Sequence, residues 1–189
     1  SRRMRNTQNH SGEHIVSGLV HAKYGYDNIG FHMETKSAVA QGVVTIDFNG
    51  TLTWEELMDI ERGANRIVCE NHPVHTLWPS RDELMHMDYR SKKELDGDVR
   101  IIDMDGIDVC ACCGTHVLYT GEVGVIKILS VENRHKGVRV EMVCGMDALT
   151  IIQKEHESIC QLKNMLAASF DKVVDAVQKV VDSNHQKNR

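Results

Sequence analysis

Two short motifs, His10-Ser11-Gly12-Glu13-His14 and Cys112-Cys113-Gly114-Thr115-His116, restrict the fold more than anything else in the chain. Each holds two metal-ligating side chains four residues apart, and residues four apart on a helix share a face. Two nitrogen or sulfur donors from each segment make the four-coordinate set that zinc favours. A fold that uses all four must bring together segments about a hundred residues apart. Gly114 permits a tight turn between Cys112 and His116. Cys110 and Cys113 are alternative sulfur ligands. Cys69, His72 and His75 form a competing cluster, but Pro73 interrupts it, and the stretch reads as a helix end running into a strand.

The six cysteines do not form a spaced disulfide ladder, and three of them crowd into 110, 112 and 113 beside a histidine. That crowding predicts a reducing, cytoplasmic setting and a metal. There is no run of about eighteen apolar residues and no apolar centre of a signal peptide, so a soluble protein with no membrane partner is expected. A net charge of −5 excludes a uniformly basic nucleic-acid binder. The local clusters Arg2, Arg3, Arg5 and Arg134, His135, Lys136, Arg139 read first as solvated surface, with phosphate contact as the alternative. The chain opens abruptly in Arg-Arg, as a fragment of something longer would.

Periodicity predicts a helix from about Gln8 to Tyr24, closed by Gly25, with the histidine pair on its opening turns. Alternation predicts a strand over Val39–Phe48, turned by Asn49-Gly50. A helix to about Glu70 follows, capped by Thr51 or by Thr53, the latter with Glu56 as in a capping box. Short strands are expected at Val74–Trp78 and Val99–Asp103, with Ser80–Asp96 between them undecided. Two longer strands, Gly121–Leu129 and Gly137–Val143, are joined by a charged loop, Glu132–Lys136. The class is α+β: a mainly antiparallel sheet packed with helices around a zinc site. Beyond it, Ile152, Ile159, Leu166, Val173 and Val180 recur every seven residues. This predicts one long heptad helix from about Met146 to His185, forming a coiled-coil homodimer, with a helix that breaks near Ser169 and folds back as the alternative. The expected domains are 1–145, carrying the site, and 146–189, for oligomerisation.

Two functions fit the residues alone. His-Ser-Gly-Glu-His matches the H-x-x-E-H pattern of some zinc peptidases, with Glu13 activating water. Such an enzyme keeps an open metal position, whereas here a Cys/His pair fills it. A structural zinc in a module that binds tRNA or another partner is the non-catalytic alternative.

The third function comes from a resemblance. The run R-R-M-R-N-T-Q-N-H-S-G-E-H-I-V-S-G-L, then C-C-G-T-H-V-L-Y-T-G-E-V-G-V-I-K-I, then G-V-R-V-E resembles the editing domain of alanyl-tRNA synthetase and its freestanding relatives, over about residues 1 to 150. The resemblance implies zinc-dependent, ATP-independent hydrolysis of mischarged alanine tRNA, chiefly seryl-tRNA, in the service of translation fidelity. Carried over by residue, it implies His10, His14, Cys112 and His116 as zinc ligands. Ser11, Asn28, Thr115 and Arg139 are candidates for substrate binding, and Glu13 for the catalytic base. The tRNA would be met at its aminoacylated 3′ end. Cys113 departs from the family, which often has glycine there, and Glu13 stands where the family often has glutamine.

Overall fold

Glycine 25, at φ 70, has left-handed backbone and ends the first helix, α1 (Arg2–Tyr24), as its position after the last apolar residue predicts. At the other end α1 extends six residues further than the periodicity indicates, so His10 and His14 lie mid-helix. The polar start, Arg2 to Thr7, carries no apolar repeat, yet it is held from outside. Arg5 is ion-paired with Asp147, and Gln8 Nε2 donates to the Glu122 carbonyl at 2.9 Å.

The computed structural model describes residues 1–33, 42–91 and 97–187. The strands are β1 (Asn28–His32), β2 (Val44–Phe48), β3 (His75–Leu77), β4 (Ile101–Asp103), β5 (Val109–Ala111), β6 (Ile126–Arg134) and β7 (Gly137–Cys144). They form two antiparallel sheets, one ordered β1-β2-β7-β6 and the other β3-β4-β5. The start of the predicted Val39–Phe48 strand, residues 39–41, lies outside the described residues, as do 92–96 of the undecided stretch. Within that stretch, a short helix, α3 (Arg81–His86), begins at the Ser80 capping box.

Helix α2 (Trp54–Glu70) begins at the predicted Thr53–Glu56 capping box. It buries Leu57, Ile60, Ala64 and Ile67, an apolar stripe at helical spacing. These residues share a core with Ile15, Val16 and Val20 of α1 and with Ile46, Ile128, Val138, Val140 and Met142 of the sheet. Each fully buried Ile or Leu stabilises the fold by about 2 kcal/mol. Along β7 the burial alternates, so Arg139 and Glu141 face away from this core.

Two strand boundaries need correction. Residues Thr120–Val123 form a 3-10 turn rather than the start of a strand. Thr120 fixes it, because its buried hydroxyl donates to the Ile67 carbonyl and accepts from the His72 amide, both at 2.9 Å. The charged loop shrinks as well, since β6 runs to Arg134 and pairs there with Gly137. At Gly137 (φ 147) a Cβ would lie 1.9 Å from the Phe48 carbonyl oxygen, so glycine lets the hairpin close onto β2.

The chain divides into two compact units, Ser1–Ala148 and Leu149–Arg189. The single long helix expected in the second is interrupted. Helix α4 (Gly145–Met165) ends where Ala167 takes φ 49 and the Ala168 amide donates back to the Lys163 carbonyl at 3.0 Å. A 3-10 turn (Phe170–Lys172) then leads into α5 (Val173–Lys187), and Phe170 packs 6.0 Å from the His156 ring. Two rods of roughly 30 and 20 Å replace one of about 60 Å. A dimer argued from one long unbroken seam loses that basis. Among the described residues no helix is long and apolar enough to cross a membrane.

Candidate metal centre

The middle of α1 faces the loop after β5, and the two motifs meet there. One ligating atom each from His10, His14, Cys112 and His116 lies within 4.8 Å of the other three. The three imidazole centroids are 4.4 to 4.9 Å apart, and Cys112 Sγ is 3.4 Å from His10 Nε2. Gly114 makes this approach possible, because a Cβ there would sit 2.2 Å from His10 Cε1. On the far side, Phe31 stacks on His10 at 5.5 Å.

The second nitrogen of each ring is held by an oxygen. His10 Nδ1 is 3.2 Å from the Thr115 carbonyl, His116 Nδ1 is 3.0 Å from the Gly114 carbonyl, and His14 Nδ1 is 2.7 Å from Asp108 Oδ2. Carbonyls and carboxylates only accept, so each Nδ1 carries a proton and, in a neutral ring, each Nε2 presents a lone pair. Among the described residues, His116 Nε2 is buried and has no hydrogen-bond partner. An orphaned lone pair beside two other imidazoles and a thiol is the donor set a divalent metal fits.

The electrostatics agree. Burial alone would raise the Cys112 thiol, but the neighbouring His10, His116 and His14 rings bring its pKa down to about 3, so it is a thiolate. Burial disfavours a charged His14, yet Glu13, Asp108, Cys110 and Cys112 outweigh burial and hold its pKa well above the ordinary value. The Glu13 and Asp108 carboxylates and the Cys112 thiolate thus favour a proton on His14. A metal ion bound here would take that proton's place.

Around the ligands stand residues that the sequence motifs did not mark. Asp108 is buried and takes both Nε and Nη2 of Arg90, at 2.7 and 2.9 Å. Arg100 Nη1 donates to the carbonyls of Cys112 and Gly114, at 2.9 and 2.7 Å, clamping the ligand turn. Asp108 is visible in the sequence only as the acid four positions before Cys112. Arg90 and Arg100 carry no local signal.

The other candidates fall in distinct places. Glu13 is buried, its Oε1 hydrogen-bonded to Ser17 Oγ at 2.7 Å and to Asn28 Nδ2, and its Oε2 lies 3.7 Å from His14 Nε2. Ser11, fully buried, accepts the Val117 amide at 3.1 Å and so ties α1 to the second motif. Thr115 Oγ1 meets Thr7 Oγ1 at 3.1 Å. Arg139 forms a two-bonded pair with Asp47, both contacts 2.7 Å, on the sheet. Cys113 is exposed; Cys110 is buried, 3.1 Å from His14 Nδ1. His72 is taken by Glu70 and Asp105, and neither metal-capable group among the described residues contains Cys69, His72 or His75.

Two cavities adjoin the centre and share His10 and Cys112. One, of about 820 Å³, is lined by Arg2, Arg3, Asn6, Phe31, Met33 and Thr115 among others. The other, of about 550 Å³, includes Glu13, His14, Asp27, Asn28, Asp88 and Arg90.

Fold and site define an α+β protein with a metal-capable centre of three histidines and one cysteine, joining one helix to one loop. Residues 99–140, which contain the Cys112 motif, match the family described as the threonyl and alanyl tRNA synthetase second additional domain. The chain is 29% identical to the alanyl-tRNA editing protein Aarsd1-A of Xenopus laevis over 97% of its own length and 44% of that protein. It is 32% identical to the alanine–tRNA ligase of Methanothermobacter thermautotrophicus over 81% of its length, and 36% identical to that of Natronomonas pharaonis over 91%. It spans 17% and 19% of those two ligases. The chain is thus homologous, over most of its length, to the alanyl-tRNA editing proteins and to a segment of the alanine–tRNA ligases, as the motifs led one to expect.

Proposed function

We propose that this chain is a zinc-dependent aminoacyl-tRNA deacylase module that cuts the ester joining a wrong amino acid, chiefly serine, to the terminal adenosine of alanine tRNA. The observation that carries the proposal is the convergence of His10, His14, Cys112 and His116 in a chain homologous to alanyl-tRNA editing proteins. Three nitrogens and one sulfur suit zinc better than magnesium or calcium, which prefer oxygen. When bound, zinc would supply positive charge close to the scissile carbonyl.

The chain's own residues account for the rest. Arg2 and Arg3 offer cationic groups beside the larger cavity, and Phe31 a ring, matching the phosphates and base of a tRNA 3′ end. Glu13, Asp27 and Asp88 line the smaller cavity and suit the ammonium of the amino acid. Ser17 and Asn28 hold Glu13 Oε1, which leaves Oε2 to take a proton from the attacking water. A bond from water oxygen to the carbonyl carbon replaces the ester bond, and the proton passes to the departing ribose oxygen.

The test is a side-by-side incubation of the chain with seryl-tRNA and alanyl-tRNA of the same alanine acceptor. Release of serine with alanine retained supports the proposal. If neither ester is cut while the tRNA still binds, the chain is a non-catalytic binding module.

A further inference from the structure

His14 is the most deeply buried of the three histidines, and its Nδ1 has two neighbours, Asp108 Oδ2 at 2.7 Å and Cys110 Sγ at 3.1 Å. Either could set which ring nitrogen faces Cys112. Asp108 is 3% exposed and receives two bonds from Arg90, one on each carboxylate oxygen, so its orientation is fixed. Arg90 is fixed in turn, because its amide donates to the Val109 carbonyl at 2.8 Å and its own carbonyl accepts from the Ala111 amide at 2.9 Å. That strap lies along β5, on either side of Cys110. Cys110 Sγ stands farther from Nδ1 than Asp108 Oδ2 does, and sulfur is only a weak acceptor.

We infer that Asp108, locked by Arg90, is the positioning residue that turns Nε2 of His14 to the metal, and that Cys110 is not a ligand. The inference rests on the metal centre proposed above. Asp108 is not among the residues lining the smaller cavity, whereas Arg90 and His14 are, so it acts from behind the wall rather than on substrate. A carboxylate of this kind fixes the tautomer and makes the ring a stronger donor, and losing it typically weakens metal affinity 10- to 100-fold.

The experiment measures zinc affinity of the full chain by chelator competition, and the visible absorption of the cobalt-substituted protein. Removing Asp108 alone would strand a partly buried arginine, so the test uses paired changes. Asp108→Ala with Arg90→Met is expected to weaken zinc about 10- to 100-fold and to alter the cobalt d–d bands. Asp108→Asn with Arg90→Met restores an acceptor for Nδ1–H and should recover most of that loss. Cys110→Ala should leave affinity within about twofold and the thiolate-to-cobalt band in place. Should the alanine pair not fold, Asp108→Ser with Arg90→Met is read by the same outcomes. Unchanged zinc affinity in the alanine or serine pair, failure of asparagine to restore binding, or loss of binding in Cys110→Ala each overturns the inference. A wild type that binds neither metal overturns the inference and the metal centre together, which separates the two failures.

Discussion

Cys112 Sγ lies 3.4 Å from His10 Nε2, although 102 residues separate them in the chain. Cys112 packs against the hydrophobic core, and the close approach also has a local basis. It depends on Gly114 leaving room for the ring, and on Arg100 holding the turn by two carbonyls.

Gly114→Ala should therefore damage the centre without unfolding the protein. The new Cβ would meet the His10 ring at 2.2 Å, and the ring must move. We expect zinc affinity to fall at least about tenfold, with a melting temperature in chelator close to wild type. Equal zinc affinity would show that His10 is not held where it is needed.

His116→Ala combined with Cys112→Ser should reduce bound zinc from about one per chain to near zero, measured by metal analysis after dialysis. Both variants leave the α1 pair intact, so residual zinc near one per chain would assign the ion elsewhere.

Ser11 offers a contrast. Its hydroxyl is fully buried and occupied by the Val117 amide, so Ser11→Ala leaves a buried donor unpaired. A loss of about 1–3 kcal/mol is expected in denaturant unfolding, with the KM for seryl-tRNA unchanged. A raised KM at full stability would return Ser11 to the substrate.

Arg139 pairs with Asp47 at a cross-strand position on the sheet. Its hydrogen bonds hold the Asp47 carboxyl below its usual range, against a smaller opposing effect of burial. A depressed carboxylate pKa stabilises the fold above the unfolded value near 3.9 and ceases to do so as pH falls through the folded value. Arg139→Gln should thus cost about 1 kcal/mol at pH 7, less as pH drops below about 4, and leave zinc content unchanged. A deficit that stays constant into acid would break the assignment.

The four converging side chains were legible because helix geometry and metal chemistry both act on short spacings, and His10 to His14 and Cys112 to His116 display them. The α2 capping box and Gly25 were legible for the same local reason. What supports the ligands was not. Asp108, Arg90 and Arg100 are common residue types whose partners lie up to 94 positions away, so nothing nearby marks them. Thr120 likewise turns a predicted strand start into a 3-10 turn through bonds to Ile67 and His72. The break after α4 was legible only as the alternative near Ser169, because alanine, not glycine or proline, takes the left-handed position at 167, while the heptad spacing runs straight through it.

The central claim is that one metal, held by the two motifs, makes this chain a deacylase. The direct measurement is serine release from seryl-tRNA by metal-stripped protein as zinc is added back in fractions of an equivalent. The account predicts no release without metal, a linear rise, and a plateau at one zinc per chain. Undiminished release from the stripped protein, or zinc bound at one per chain with no release, would contradict it.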